Sequence, residues 1–300
     1  RSPHHALDAL HTGLMTQRVN WVLDADIRSY FDSVDHEALL RVLDRRIGDP
    51  RIIELIRRWL KAGVMEDGQR SDTVEGTPQG AGISPLLANI FLHYALDLWV
   101  SNWRRTKAIG RVVYVRYADD FVLGFQRKQD ALRFQVELKA RLQRAGLRLN
   151  EEKTRLISFG RYAKAPQDKQ GRKRPETFDF LGFTHYCGMS RKGRPVVKRK
   201  TQRTRLHKKL KALRSQLRAR RHRPLIEQWR WLRSVLKGHY NHYGLPGNIR
   251  SLQVFRYQLL KAWIKWLRRR SQRNRRSWQQ FYSFLETCFP LPRPRITHPR

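Results

Sequence analysis

The chain has 300 residues, with 63 Lys and Arg against 25 Asp and Glu, a formal net charge of +38. Such a charge repels itself on folding unless a polyanion is present. That excludes an ordinary enzyme of small neutral or acidic metabolites and points to nucleic acid. Hydrophobic residues at 40% and aromatics at 11% exclude a disordered basic tail, and the length suits about two domains.

The charge is uneven. Residues 1–190 carry 31 basic and 23 acidic residues, a net of +8, whereas residues 191–300 carry 32 basic residues and only Glu227 and Glu286 as acids, a net of +30. The first part reads as a mildly basic body with carboxylates to spare for chemistry, the second as a module that grips a polyanion. Two cysteines, Cys187 and Cys288, are too few for a disulfide framework and fit a reducing cytosol. No apolar run approaches the roughly 20 residues that span a bilayer, so no membrane partner is expected. The chain opens on Arg1-Ser2-Pro3 without an initiator Met, as a fragment does.

In chain order, Trp21 to Ile27 reads as a strand running into a polar turn. His36 to Arg46 has helical spacing through Ala38, Leu39, Val42 and Leu43, and Pro50 starts the next helix. Gly76 to Gly82 is a glycine-rich loop, after which Pro85 opens a long apolar helix over Leu86 to Val100. Val112–Val115 and Phe121–Phe125 are β-type runs, with Arg116 to Asp120 as the hairpin tip between them. Residues 129–145 return to helical spacing through Leu132, Val136 and Leu142, and Gly146 stops that helix. Residues 161–177 read as a loop and Phe178 to Tyr186 as an aromatic strand. Beyond Thr201, Leu206, Leu210, Leu213 and Leu217 mark one amphipathic helix. Pro224 starts a second, and a third runs through Leu252, Phe255, Leu259, Trp263 and Trp266.

The strongest chemical signal is Tyr117-Ala118-Asp119-Asp120 between two apolar strands. Adjacent carboxylates repel, and a hard cation such as Mg²⁺ offsets that repulsion; Asp also serves simple turns. Asp26 ends an apolar strand upstream, and a strand-end Asp with a hairpin Asp pair suits two-metal phosphoryl transfer. Asp24, Asp32 and Asp35 lie close by, so spacing does not choose among them.

Asp26-Ile27-Arg28-Ser29-Tyr30-Phe31-Asp32 resembles the first catalytic motif of reverse transcriptases, and Tyr117-Ala118-Asp119-Asp120 the second. Gly76 to Leu92 resembles their template and nucleotide contact motif, Gly146 to Thr154 the motif that follows, and Phe180-Leu181-Gly182-Phe183 the primer grip. The stretches Trp231 to Val235 and Gly238 to Gly244 are similar to the thumb or maturase region of group II intron-encoded proteins.

The resemblance implies an α+β fold: a right-hand polymerase palm with truncated fingers, followed by an all-α thumb/maturase bundle. Residues 1–20 would be a remnant of the fingers, 21–190 the palm with part of the fingers, and 191–300 the thumb/maturase domain. It implies that Asp26, Asp119, Asp120 and the Ile27 carbonyl hold two Mg²⁺ ions. Phe31 would crowd a ribose 2′-OH, core packing being the alternative or companion role. Gln79 and Gly80 would line the incoming dNTP. Lys153 would protonate the leaving pyrophosphate, or serve as an ion-pair partner. Phe180, Leu181, Gly182 and Phe183 would press on the primer or pack in the core. Trp229, Trp231, Tyr240, Tyr243, Trp263 and Trp266 would stack on bases or build the bundle, core being expected for most of the tryptophans. His239 and His242 have metal-like spacing without further ligands, so no zinc is assigned.

The implied partners are group II intron RNA, an RNA template with a DNA primer, and target DNA, in a bacterial-type cytoplasmic ribonucleoprotein. The family's upstream fingers motifs are not in this sequence, and Cys288 and His298 do not supply the Cys and His clusters of the endonuclease that some relatives carry. An RNA-binding splicing cofactor without polymerase activity, and a reverse transcriptase recruited to host defence, are the alternatives.

Overall fold

The computed structural model describes residues 2–61, 64–66, 69–71, 83–163, 176–270 and 277–298. The chain divides into two compact units. One comprises Arg1–Leu181 and Tyr186–Val197, the other Gly182–His185 and Lys198–Arg300. The division therefore runs through two strands instead of falling at the single point near residue 190 where the charge changes.

The first unit is built on a four-stranded antiparallel sheet in the order β4-β5-β1-β6. Its strands are β1 (Trp21–Ala25), β4 (Val112–Tyr117), β5 (Asp120–Phe125) and β6 (Arg155–Ser158). Helices α2 (His36–Asp44), α3 (Pro50–Lys61), α4 (Ser84–Leu92), α5 (Leu98–Thr106) and α6 (Lys128–Arg144) also belong to this unit, as does a short pair, β2 (Val64–Glu66) with β3 (Gln69–Ser71). Leu23 and Ala25 of β1 and Phe121, Leu123 and Phe125 of β5 share one face by strand alternation. They pack in a single apolar core with Leu39, Phe91, Trp103 and Phe134 from the helices. Helix α1 (Pro3–Thr16), capped by Ser2, lies on β4, where Gly13 lets its backbone approach the Val113 side chain.

Two sequence expectations change here. Helix α6 buries Ala131, Phe134, Leu138 and Leu142, while Leu132 and Val136 face solvent at 47% and 72% exposure. Apolar residues four apart occur on both faces of this helix, and the bulkier Phe134 sides with the core. The apolar helix opened by Pro85 reaches Thr106, well past Val100, and it is not uniform. A π-helical segment, His93–Asp97, joins α4 to α5.

The aromatic run Phe178–Tyr186 is two strands, not one: β7 (Thr177–Phe180) and β8 (Phe183–Met189), followed by β9 (Pro195–Thr201) in a sheet of order β7-β8-β9. Leu181 at φ 49° and Gly182 at φ 84° form the two-residue turn, both central residues having the positive φ that a type I′ hairpin requires.

The second unit holds α7 (Arg203–Ala219), α8 (Leu225–Tyr243), α9 (Ile249–Arg268) and α10 (Trp278–Cys288). Leucines 210, 213 and 217, Leu236, Phe255, Leu259, Trp263 and Leu285 are buried in it. Buried Gln228 donates to the carbonyls of Arg220 and Arg223 and accepts from Trp263 Nε1 at 2.9 Å, tying the α7–α8 turn to α9. Trp229, Trp231 and Trp266 are only part-buried, against the expectation of core; each carries an arginine over its ring, at 5.3, 5.0 and 5.5 Å for the nearest. His239 stacks on Phe255 at 3.7 Å. Burial, with the Lys209 and His242 charges beside it, pushes its pKa down to about 3, so it is neutral. Among the described residues no helix is long and apolar enough to cross a membrane.

Candidate active site

Asp119 sits in a two-residue turn. Tyr117 pairs with Asp120, leaving Ala118 and Asp119 as the link between β4 and β5, so Arg116, Tyr117 and Asp120 belong to the strands, not to a wider tip. Ala118 has φ 54°, a left-handed conformation that disfavours a residue with a Cβ. Asp26 directly follows β1. Ala25 pairs with Phe121, so continuing that antiparallel register sets Asp26 opposite Asp120. Two segments far apart in sequence thus bring their carboxylates to one end of neighbouring strands.

A third segment closes on Asp26. Arg28 N donates to Arg148 O and Asn150 N to Asp26 O, both at 2.8 Å, flanking an antiparallel bridge between Ile27 and Leu149. Carbonyls alternate along an extended chain. With the Asp26 carbonyl facing Asn150, that of Ile27 turns to the β5 side, where Asp119 and Asp120 lie. Lys153 Nζ and Asn150 Nδ2 reach Asp26 Oδ2 at 3.1 and 3.3 Å. Glu151 takes Lys139 instead, at 2.5 Å.

Two of the neighbouring acids are otherwise engaged. Asp35 Oδ1 caps α2 by accepting from the N–H groups of Glu37 and Ala38. Asp24 pairs with Arg155 at 3.1 Å. Burial raises its pKa, Arg155 pulls it back, and Asp179 and Asp26 push it further up.

Tyr30 follows a left-handed Ser29 (φ 45°) and heads a single 3₁₀ turn. Its buried hydroxyl donates to Ala88 O at 2.5 Å. Burial raises its pKa, Arg116 opposes the rise and Asp119 adds to it, so both groups lie within electrostatic reach. The Phe31 ring is half-buried, tilted against Tyr30 at 5.3 Å and packed on the core. Sequence reading passed over Tyr30, Asn150, Arg116 and Asp97. The last two carried a signal: a lone charge at the end of an apolar strand, and a lone acid between Leu96 and Leu98.

The other expected residues are dispersed. Phe180 and Phe183 are buried at 4% and 0% exposure, leaving Leu181 at the turn as the part-exposed member of that motif. Phe183 packs on Tyr243 at 5.2 Å. Gln79 and Gly80 lie outside the described residues. Among the described residues no group of three or more His, Cys, Asp or Glu side chains is drawn together as a metal-ligand set. By chemistry, three carboxylates at one sheet end, one already engaged by an amine, suit a hard divalent cation.

Residues 1–185 match the model of the reverse transcriptase (RNA-dependent DNA polymerase) family. The chain belongs to that family. Its four-stranded sheet is the reverse transcriptase palm, and a helical region follows. Among its relatives is protein YkfC of Escherichia coli K12, 35% identical over 189 residues that cover 52% of this chain and 49% of that one. The group II intron-encoded protein LtrA of Lactococcus lactis is 42% identical over 95 residues, covering 30% of this chain and 16% of that one. The chain spans about half the length, or less, of these curated relatives. Among solved structures, a Candida albicans telomerase in complex with a telomeric RNA fragment aligns with 95% of this chain and 50% of its own, at 14% identity and a TM-score of 0.47. Within the reverse transcriptase family, polymerisation uses divalent metal ions and deoxynucleotides.

Proposed function

We propose that this chain is the catalytic part of a group II intron RNA-directed DNA polymerase. It extends a DNA primer on an RNA template with dNTPs and two Mg²⁺ ions, and acts with intron RNA in splicing and retrohoming within a cytoplasmic ribonucleoprotein. The observation that carries the polymerase reading is the register of β1 and β5, which brings Asp26 and the Asp119–Asp120 pair to one sheet end. The intron reading draws on likeness to LtrA and to a putative COX1/OXI3 intron 1 protein of Saccharomyces cerevisiae, 27% identical over 183 residues.

Bound divalent cations would make the primer 3′-hydroxyl a better nucleophile and offset charge on the departing pyrophosphate. Asp26, Asp119, Asp120 and the Ile27 carbonyl would hold them. Lys153 would leave Asp26 Oδ2 to donate a proton to the pyrophosphate. The Phe31 ring, held between Tyr30 and the core, would crowd a 2′-hydroxyl and select deoxynucleotides. The Leu181-Gly182 turn would touch the primer. The arginines of the helical unit would neutralise phosphates, with Trp229, Trp231 and Trp266 offering faces to bases.

Primer extension on an RNA template tests this. The wild-type chain should extend only with a divalent cation, and Asp119→Ala should abolish extension while leaving RNA binding intact. RNA binding without extension by the wild type would leave a splicing cofactor as the surviving reading.

A further inference from the structure

We infer that Arg116 and Asp97 form a clamp that holds the Ala118–Asp119 turn in its working geometry, with Arg116 as the positioning residue. The inference rests on the polymerase reading and goes beyond it, since that reading makes neither residue a metal-holding group or a substrate contact.

One guanidinium does four things. Its Nε and Nη2 donate to the two oxygens of Asp97, at 2.7 and 2.6 Å. Its Nη1 donates to the Ala118 carbonyl at 2.7 Å and to Asn89 Oδ1 at 2.9 Å. The planar fork thus fixes its own orientation on Asp97 and passes it to the turn, a geometry that lysine cannot copy. Tyr114 adds a hydrogen bond to Asp97 Oδ1 at 2.6 Å. The group is mostly enclosed, with Arg116 at 11% and Asp97 at 23% exposure.

The turn needs holding. A left-handed conformation is strained for a residue with a Cβ, and Ala118 stands there at φ 54°. Fixing its carbonyl fixes the peptide plane that leads into Asp119, and therefore the direction of that carboxylate. The opposing end is set with equal care. Asp97 ends the π-helical segment His93–Asp97, and Asn89 lies on α4 just before it. An inserted π turn shifts the phase of the following helix, and such insertions gather at functional sites. Here an acid of that segment meets Arg116 and Tyr114 on β4, the strand that leads into the catalytic pair.

A purely structural ion pair would lower stability and leave metal binding alone, so the test must separate the two. Mn²⁺ binding to the full chain, followed by electron paramagnetic resonance, reads the site without catalysis. Primer extension reads kcat and KM separately. Arg116→Lys keeps the charge and loses the fork, Asp97→Asn keeps the shape and loses the charge, and Tyr114→Phe, which spares the fork, is the control. Either of the first two, while folded by circular dichroism, should weaken Mn²⁺ binding several-fold. Each should also cut kcat on the order of 100-fold, the scale of a misplacement of about 1 Å, with KM for dNTP little changed. Adding Ala118→Gly, which removes the strain, should restore part of the Mn²⁺ affinity of Arg116→Lys. Folded variants with wild-type Mn²⁺ affinity and kcat would overturn the clamp. Wild-type protein that binds no Mn²⁺ and extends no primer would instead overturn the polymerase reading beneath it.

Discussion

Single groups titrate differently in the two units, and the difference is measurable. In the helical unit His239 has its pKa lowered to about 3 by burial and by nearby charge, against about 6.5 when unfolded. The unfolded chain binds the extra proton between those values, so this contribution to stability is complete above pH 6.5 and is lost as pH falls toward 3. In the sheet unit, burial raises the Asp97 carboxyl, but hydrogen bonds from Arg116 and Tyr114 and the Arg116 charge outweigh it, and its pKa is lowered overall. Its contribution is therefore complete above the ordinary aspartate range near pH 3.9 and is lost only below it. Acid titration followed by hydrogen exchange should show α8 and α9 loosening at a higher pH than β4 and β5. His239→Phe, which keeps a ring on Phe255, should shift the first step downward; an unchanged first step would assign it to another group. Also at this scale, Phe31→Ala should raise the ratio of ribonucleotide to deoxynucleotide incorporation in primer extension. An unaltered ratio would leave Phe31 as core alone.

Elements are joined here by close approaches that a single atom upsets. A Cβ at Gly13 would come within 2.7 Å of Val113 Cγ1. Gly13→Ala should therefore cost about 1–3 kcal/mol by overpacking α1 on β4, read in chemical denaturation, and Val113→Ala should recover part of it. The β7–β8 turn makes the opposite case. Leu181 holds φ 49°, so Leu181→Gly should raise stability by up to about 1–2 kcal/mol. If the turn touches the primer as proposed, the same change should lower processivity. Opposite signs in stability and extension would mark Leu181 as a residue kept for contact.

The whole molecule is governed by its charge of +38. Salt acts on it in two directions. Screening relieves self-repulsion, so the melting temperature without RNA should rise as NaCl goes up. RNA affinity should fall over the same range, linearly in log–log form, because each neutralised phosphate releases counterions. A melting temperature insensitive to salt would mean that the arginines are already paired within the fold. The pairs Arg256–Glu286 and Arg223–Glu227 engage the two acids that residues 191–300 contain, against 32 basic residues in the same stretch.

The family, the α+β class, the carboxylates to test and the basic helical region were legible in the sequence. Each rests on local order: strand runs, helical spacing and residue types in a fixed series. Asp26 and Asp119 could be named from that series and assigned to one site by resemblance, but the pairing that sets them side by side could not be read, because antiparallel register relates residues 93 positions apart. The face that α6 buries, the breadth of the hairpin tip and the exposure of Trp229, Trp231 and Trp266 also followed from packing partners that no window of sequence contains. The clamp is the clearest case. Arg116 and Asp97 look like an edge charge and a misplaced acid until the fold brings one to the other. Only the tertiary structure decides that, since directional hydrogen bonds depend on where side chains end up in space.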